Sequence, residues 1–324
     1  MKPVITVIEP EGPKEWFSPL QGDFDVRFYY PKGVPSKDKV TEILENSYGV
    51  IITSATEITD SQMDNAVNLR IIAKCGGPPS NISVSHAESC GIALTCVPGA
   101  NTTTIAEYTV MLIIAMLRHF DEHTAVVRHG QWRSADTLLG HDLKDSAVGI
   151  VGLGSIGREV VKRLRPFGCR IFVYTPHPSL FEGCTYVDSL EELLPLCDAV
   201  TLHCRVTPQT QNLLNASNIC LMKKGAVLVN TARGVLVDEK ALADALKNGP
   251  LSAAAVDVFQ QEPPQEDNPL MMSPHAVLTP HASGWTHEAL KRECSGAVNS
   301  ILAYYHNETI PGLLTSDYKQ YLRV

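Results

Sequence analysis

Arg233, Glu262 and His281 are suited to acid, base and anion-binding chemistry, and each follows a short apolar run. The planar fork of an arginine pairs with a carboxylate through two parallel hydrogen bonds. A protonated imidazole can donate a proton to a carbonyl oxygen, and a neighbouring carboxylate favours that charged form. Parallel strands end at one edge of a sheet, so a single cleft could gather all three side chains. Together they could bind a carboxylate and transfer a proton to or from a neighbouring oxygen.

A glycine-rich turn predicts a nucleotide-binding site. Gly152, Gly154 and Gly157 have the spacing G-x-G-x-x-G after an apolar run. The first glycine permits a tight turn, the second lets the backbone approach a pyrophosphate, and the third lets the next helix pack closely. Amides at the start of that helix, at Ser155 and Ile156, would face the anion. The turn therefore predicts a bound dinucleotide.

The residue after the second strand of this fold bears on the choice of cofactor. Thr175 lies 23 residues after Gly152, near the offset of ~20 residues at which an acidic side chain normally binds the adenosine ribose of NAD. A threonine does not repel the 2′-phosphate of NADP, although between Thr175 and Leu180 only His177 offers partial positive charge. We predict use of both NAD and NADP. The alternative is that Thr175 merely ends the strand and that other groups enforce NAD.

Apolar runs alternate with helical patterns along the whole chain, which is typical of parallel α/β sheets. Thr104 and Glu107 have capping-box spacing ahead of the apolar helix Val110–Leu117. The stretch from Arg118 to Asp145 is polar and irregular apart from Trp132, and it is predicted to be a helix end and connector. A helix is predicted over Ser155–Phe167. The predicted strands are Val4–Ile8, Val26–Tyr30, Gly49–Thr53, Leu69–Lys74, Ile92–Val97, Ala147–Val151, Arg170–Tyr174, Asp198–His203, Gly225–Asn230, Ser252–Val258 and Ala276–Thr279. The last six make a full dinucleotide fold.

Composition restricts the class of partner. The 324 residues carry a net charge of −8 and no basic run, which argues against nucleic acid and anionic membranes. The cysteines occur singly, without a C-x-x-C pair, as in reduced cytosolic proteins. The amino terminus lacks a signal-peptide pattern, and no apolar run is long enough to span a bilayer. We expect a cytoplasmic protein that binds small molecules. No His, Cys and Asp residues show metal-ligand spacing, so no metal site is predicted.

The order of these pieces resembles the D-isomer-specific 2-hydroxyacid dehydrogenases, which include phosphoglycerate, D-lactate and glyoxylate/hydroxypyruvate enzymes. The resemblance covers most of the chain. The matching pieces are Asn101–Glu107, the glycine motif, Leu202-His203 with Thr207-Pro208, Asn230–Gly234, Asp257–Pro263 and Thr279–Thr286.

The resemblance implies a role for each site residue. Arg233 would grip the substrate carboxylate and carbonyl, His281 would be the acid/base, and Glu262 would orient and charge His281. Asp257 would hold the nicotinamide carboxamide; the alternative is that Asp257 caps the loop after its strand. The further cofactor contacts are predicted in the same turns, at Thr231, Ala232, Arg233, Asp257, His281 and Ser283.

The resemblance also implies a discontinuous layout of two doubly wound parallel-sheet domains. A Rossmann cofactor domain, residues 99–285, would be inserted into a flavodoxin-like substrate domain, residues 1–98 plus 286–324. By family habit, and because the helix Val110–Leu117 is apolar all round, we expect a homodimer.

The loop that should bind the substrate departs from the family pattern. The family has a glycine-rich segment leading to Asp-Asn-(Ile/Val)-Asp, whereas here the acids are missing and only Asn81 remains. Gly76 and Gly77 could present backbone amides to a carboxylate, and Lys74 offers an amine. This polar loop predicts a small polar or sugar-derived acid as substrate. Arg205 also departs, standing where the family usually has proline; it is expected to face solvent, or alternatively the cofactor.

Two classes of function stay open on the sequence. The first is an oxidoreductase that interconverts a D-2-hydroxy acid and its 2-oxo acid. The second is an NAD(H)-sensing binding protein like the C-terminal-binding corepressors, which share the fold and the set Arg233, Glu262 and His281. The short polar tail favours the enzyme, because a regulatory scaffold would carry disordered partner-binding tails. A formate-dehydrogenase-like function is weaker, since that group has glutamine where Glu262 stands.

Overall fold

The computed structural model of the chain describes residues 2–9, 11–30, 35–79, 81–134 and 139–322. The chain divides into two units: unit 1 comprises Met1–Asn101 with Thr286–Val324, and unit 2 comprises Thr102–Trp285. Each unit is an α/β structure built on a parallel sheet, of five strands in unit 1 and seven in unit 2. The fold class predicted from the alternating pattern is confirmed.

The strands are β1 (Val4–Ile8), β2 (Asp25–Tyr29), β3 (Gly49–Ile52), β4 (Ile71–Lys74), β5 (Ala93–Thr95), β6 (Ala147–Val151), β7 (Arg170–Tyr174), β8 (Thr185–Tyr186), β9 (Ala199–Leu202), β10 (Ala226–Asn230), β11 (Leu251–Val256) and β12 (Ala276–Leu278).

The α-helices are α1 (Lys37–Glu45), α2 (Asp60–Asn65), α3 (Val84–Ser89), α4 (Thr102–Leu117), α5 (Phe120–Arg128), α6 (Ser155–Leu164), α7 (Leu190–Leu193), α8 (Ala216–Ile219), α9 (Glu239–Asn248) and α10 (His287–Tyr305).

Unit 1 has the strand order β2-β1-β3-β4-β5, with every pair parallel. This is the flavodoxin-like order. One face of the sheet packs against α10, in a cluster that contains Ile5, Ile51 and Ile301. The other face buries Leu44 of α1 and Met63 of α2. Both faces are covered, which explains why these strands are apolar runs rather than alternating patterns.

Unit 2 has the strand order β12-β11-β10-β9-β6-β7-β8, again all parallel. The central strand β6 is buried along its whole length. Ile113 of α4 and Val160 of α6 pack on one face of the sheet, and Leu242 of α9 packs on the other. The direction of the chain across the sheet reverses between β6 and β9, and ligands of open α/β sheets bind at the carboxyl ends beside such a reversal.

Three expectations about elements of unit 2 are wrong. The sheet has a seventh strand, β8, whose two residues are too few to produce a period in the sequence. The stretch predicted to be a helix end and irregular connector contains a separate helix, α5, which buries none of its described side chains. The helix α6 ends at Leu164, and a 3-10 turn continues to Phe167.

The predicted capping box before the apolar helix is also wrong. Helix α4 already begins at Thr102, so Thr104 lies inside its first turn and is not the cap. Glu107 lies further along the same helix, where its exposed carboxylate is 3.4 Å from the guanidinium of Arg163. A pattern of four residues cannot fix a boundary when a helix begins one turn earlier.

Within the described ranges, every helix is too short or too polar to cross a membrane.

Candidate active site

The glycine turn between β6 and α6 has the geometry of a phosphate-binding loop. Gly152 has φ +96°, and a Cβ there would lie 2.7 Å from the backbone nitrogen of Cys204. A Cβ at Gly157 would lie 2.3 Å from the carbonyl oxygen of Gly152. A Cβ at Gly154 would meet no atom within 4 Å. Two glycines are therefore required by the fold itself, whereas Gly154 keeps open the space that a bound group would occupy.

The amino terminus of α6 is available to an anion. Gly154 is its N-cap and supplies no side-chain hydrogen bond, so the first amides of the helix are not capped from that position. Gly154 and Ser155 are exposed and Ile156 is half-buried. Unpaired amides and the helix dipole together favour a pyrophosphate here. The turn fits the nicotinamide dinucleotide that the sequence implies.

The residues expected to contact the adenosine ribose follow β7. Thr175 is half-buried and His177 is exposed. Arg158, on the first turn of α6, donates a hydrogen bond to the Ser179 hydroxyl at 2.5 Å. Its guanidinium also lies over the ring of Phe181, 4.8 Å from the centroid. Sequence reasoning looked for an arginine only between residues 175 and 180, but the fold supplies one from the preceding helix.

Arg233 is positioned by the turn that follows β10. The Asn230 side chain, which is buried, donates to the carbonyl of Arg233 at 2.9 Å and accepts from the Ala232 amide at 3.1 Å. The buried Thr231 hydroxyl shares a hydrogen bond of 3.0 Å with Thr109 of α4. These contacts fix the backbone while the Arg233 side chain stays exposed. Asn230 is a positioning residue that the sequence analysis did not single out.

Gly234 brings the Arg233 turn against the turn after β11. A Cβ at Gly234 would lie 1.9 Å from the carbonyl carbon of Phe259, so the two backbones are in direct contact. The Phe259 amide in turn donates to Glu262 Oε1 at 3.0 Å. The guanidinium of Arg233 is near enough to act on the pKa of Glu262. The fold therefore gathers Arg233 and Glu262 from separate strand ends.

His281 and Glu262 form a close pair. His281 Nδ1 lies 2.7 Å from Glu262 Oε2, and the imidazole is 50% exposed. The hydrogen bond to Glu262 raises the pKa of His281, outweighing the opposite effect of burial. Burial acts to raise the pKa of Glu262, but the hydrogen bonds from His281 and from the Phe259 amide hold it below its usual range. The hydrogen bond between them therefore favours the imidazolium form of His281 and the carboxylate form of Glu262, with Nε2 of His281 left to face a ligand.

Asp257 holds the loop that carries His281. Its carboxylate is 0% exposed and accepts hydrogen bonds from the Thr279 hydroxyl at 2.6 Å and from the amides of Ala282 at 2.7 Å and Ser283 at 2.9 Å. His281 has φ +54°, in the left-handed region, and its amide donates to the Asp257 carbonyl at 2.8 Å. The carboxylate thus caps this loop, which was one of the two roles considered for Asp257. The nicotinamide contact and the Ser283 contact remain predictions.

In unit 1, Lys74 has partners other than those expected. The side chain is 3% exposed, and its ammonium donates to the carbonyls of Cys75 at 3.0 Å and Gly77 at 3.1 Å. Burial lowers the pKa of Lys74, and the buried carboxylate of Glu293 opposes that effect. The amine expected to meet a substrate instead shapes the loop from within. Glu293 could not have been found from the sequence, because it lies 219 residues away on α10.

The other predicted substrate-binding residues, Gly76, Gly77 and Asn81, also lie in unit 1. Gly76 is buried with φ +84°, and Gly77 is half-buried with open space beside its α-carbon. The side-chain amide of Asn81 donates to the carbonyls of Thr53 and Thr56. Its Oδ1 is buried and has no hydrogen-bond partner among the described residues. Asn81 therefore ties its loop to the segment after β3. Ser80, which belongs to the same loop, lies outside the described residues.

Three other polar side chains, those of His141, His203 and Arg205, fall outside this cluster. His203 hydrogen-bonds the Thr201 hydroxyl at 3.1 Å, and burial lowers its pKa to about 3, so it is uncharged at neutral pH. His141 and Arg205 are exposed.

The expectation that no His, Cys and Asp side chains have metal-ligand spacing is wrong. His86 lies 3.0 Å from the carboxylate of Asp64, and ligand atoms of Asp64, His86 and Cys90 all lie within 4.8 Å of one another. The trio was missed because Asp64 is 22 residues from His86 and reaches it only through the packing of α2 beside α3.

Comparison with known proteins identifies the family of such a site. The family model described as "D-isomer specific 2-hydroxyacid dehydrogenase, NAD binding domain" matches residues 110–283. A glyoxylate reductase of Korarchaeum cryptofilum is 34% identical over 324 residues, covering 98% of this chain and 97% of that protein. A D-3-phosphoglycerate dehydrogenase of Methanocaldococcus jannaschii is 36% identical over 286 residues, covering 87% of this chain but 53% of that protein. The chain thus spans about half the length of that phosphoglycerate dehydrogenase.

A solved structure gives the same result for the fold. The TT0316 protein of Thermus thermophilus matches with a TM-score of 0.88 at 33% identity, covering 95% of this chain and 99% of that chain.

Proposed function

The chain belongs to the D-isomer-specific 2-hydroxyacid dehydrogenase family, and from this premise we propose that it transfers a hydride between a nicotinamide cofactor and C2 of a small D-2-hydroxy acid. The observation that carries the proposal is the 2.7 Å pair of His281 and Glu262, held in the same unit as Arg233 and the glycine turn. Unit 2 is then the cofactor domain and unit 1 the substrate domain.

Each of four residues of unit 2 has a different role in the proposed reaction. The bound nicotinamide supplies or accepts the hydride. Arg233 binds the carboxylate and the neighbouring oxygen of the substrate, because its fork matches that planar group. His281 Nε2 gives its proton to the carbonyl oxygen during reduction and takes it back during oxidation. Glu262 keeps the imidazole charged and oriented, and Asp257 fixes the loop on which it stands.

We propose a small polar acid as the substrate. The glyoxylate reductase and phosphoglycerate dehydrogenase named above act on such acids by their names. A panel of 2-oxo acids, assayed with NADH and with NADPH, tests the proposal. Turnover of a small polar oxo acid supports it, and preference for a bulky aliphatic or aromatic acid contradicts this substrate class. Cofactor binding without turnover of any acid would instead favour the corepressor-like binding protein.

We expect the pH profile to report the pair of His281 and Glu262. Because the pKa of His281 is raised, the proton donor persists to higher pH, and kcat/KM for reduction falls only above that pKa. Glu262→Gln removes the negative charge that raises the pKa of His281. The fall of kcat/KM for reduction at alkaline pH should therefore begin at a lower pH. Oxidation needs the neutral imidazole of His281, so the rise of kcat/KM for oxidation with pH should also occur at a lower pH in this variant. The measurement is kcat/KM against pH in both directions.

The matched control for this profile is Glu266→Gln, which removes an exposed carboxylate four residues further on. Its profile should be that of the unmodified protein. An unmoved alkaline limb in the Glu262→Gln variant would show that Glu262 does not set the charge of His281.

We expect dual cofactor use, with kcat/KM for NADPH and NADH within about 100-fold of each other, roughly 2.7 kcal/mol of discrimination. Thr175→Asp should shift the preference toward NADH by about tenfold, because the new carboxylate repels the 2′-phosphate. Asn248→Asp is the control, because it adds the same charge at the last residue of α9. This residue lies just before β11 begins, so it is at the sheet edge opposite the cofactor turn. Rejection of NADPH beyond 100-fold, or an unchanged ratio in the Thr175→Asp variant, would exclude Thr175 from the ribose site.

We also propose a homodimer in the cytoplasm. The dimer is supported by exposed large apolar side chains on and after α4 and α5, namely Met111, Phe120, Val127 and Trp132, and light scattering at micromolar concentration tests it. The cytoplasmic location is supported by the free state of all nine cysteines, and fractionation of cells tests it.

A further inference from the structure

A second chemical cluster lies in unit 1, on α2 and α3. His86 stands inside α3 and Cys90 is its C-cap residue, so their four-residue spacing places both on one side of the helix. Asp64 lies near the end of α2. Both helices end just before a strand, so their carboxyl ends lie at the amino edge of the sheet. The cluster is thus at the edge opposite the Lys74–Asn81 loop, outside the proposed hydride-transfer site.

The distances within the cluster match those between ligands of one metal ion. His86 Nε2 lies 3.0 Å and Cys90 Sγ lies 3.4 Å from Asp64 Oδ1, and all three ligand atoms lie within 4.8 Å of one another. Zinc bonds of about 2.0–2.3 Å at tetrahedral angles separate neighbouring ligand atoms by roughly 3.3–3.6 Å. The cluster therefore needs only small side-chain rotations to surround an ion.

The surroundings of His86 supply what a metal-binding histidine usually has. Its other ring nitrogen, Nδ1, lies 3.8 Å from the carboxylate of Asp60, one turn before Asp64 on α2. Metal-bound histidines commonly direct the second nitrogen at a carboxylate, which fixes the tautomer and makes the ligating nitrogen more basic. Access is also provided, since the Asp64 side chain is 58% exposed while Cys90 is buried.

We propose that Asp64, His86 and Cys90 form a zinc site that fastens α2 to α3. The mixed set of thiolate, imidazole and carboxylate suits zinc and excludes magnesium and calcium, which take oxygen ligands. A water on the exposed side would complete four ligands. Binding deprotonates Cys90 and releases its proton to solvent, so affinity rises with pH. The role is structural, because the site joins two helices of unit 1 and contributes no group to hydride transfer.

The test uses the full chain, freed of metal by dialysis against a chelator and then titrated with Zn²⁺ and Co²⁺. We expect one equivalent of either ion to bind, Co²⁺ to give a thiolate charge-transfer band in the near ultraviolet, and saturating Zn²⁺ to raise Tm by at least about 3 °C. Cys90→Ser and His86→Asn should lose the band and the rise in Tm. Cys220→Ser, which removes an exposed cysteine outside the cluster, should keep both.

Asp64→Asn changes a side chain that is largely exposed, so this variant should fold even if Cys90→Ser does not. Circular dichroism shows which variants are folded, and Asp64→Asn then tests the site by itself if Cys90→Ser is unfolded. We expect it to weaken Zn²⁺ binding at least tenfold. The proposal is overturned if the unmodified protein binds no Zn²⁺ tighter than about 10 μM, or if the Cys90, His86 and Asp64 variants bind it as tightly as the unmodified chain. Activity on 2-oxo acids is measured in parallel and should not depend on the ion.

Discussion

His281→Ala should lower kcat for reduction of a 2-oxo acid by about 10²–10⁴-fold, the usual contribution of general acid–base catalysis. The His281 imidazole, whose Nδ1 lies 2.7 Å from Glu262 Oε2, is the proton donor in the proposed reaction. In the alanine variant only water can protonate the carbonyl oxygen. Steady-state kinetics with a saturating cofactor measure the loss.

Cofactor affinity should largely survive this substitution, because the glycine turn and α6 would still hold the pyrophosphate and His281 is only one of the predicted cofactor contacts. Titration of NADH fluorescence separates the two effects. His141→Ala removes an exposed histidine of unit 2 and should leave both kcat and affinity unchanged. If the His281 variant lost cofactor binding and turnover in equal measure, the residue would be structural and the assignment as acid/base wrong.

Arg233→Lys should reduce kcat/KM by about 10²-fold, since a charge-assisted hydrogen bond contributes about 1.5–3 kcal/mol and a point charge cannot reproduce the bidentate fork. The backbone at this position is held by Asn230 and by the contact of Gly234 with Phe259, so the variant should fold normally. The loss should appear with every 2-oxo acid tested, because all of them share the carboxylate.

Arg205→Lys makes the same exchange at an exposed arginine and should change kcat/KM little. Activity of the Arg233→Lys variant close to that of the unmodified protein would assign carboxylate binding to other groups, of which the amides of Gly76 and Gly77 are the first candidates.

The amino-acid sequence by itself determined the architecture and the chemical set. Strands that are buried on both faces appear in the sequence as apolar runs, and the helices between them show apolar residues at helical spacing. Both parallel sheets could therefore be predicted from local patterns. The glycine turn is equally local, because Gly152 and Gly157 act within six residues of each other. Arg233, Glu262 and His281 were identifiable because residues directly after parallel strands lie at one edge of the sheet.

Only the tertiary structure decided which partner each polar side chain takes. Lys74 was expected to meet a ligand, yet the fold buries it beside Glu293 and turns its ammonium onto the loop. Asp257 had two open roles, and its three hydrogen bonds to the loop of His281 establish the capping role.

The same holds for elements and clusters that leave no local signal. The strand β8 has two residues, too few to show a period in the sequence, and α5 buries none of its described side chains. Asp64, His86 and Cys90 become neighbours only when α2 and α3 pack together. The physical reason is common to all of these cases: periodicity records what a segment buries, whereas hydrogen bonds and ligand sets depend on atoms that distant parts of the chain bring within about 3 Å of each other.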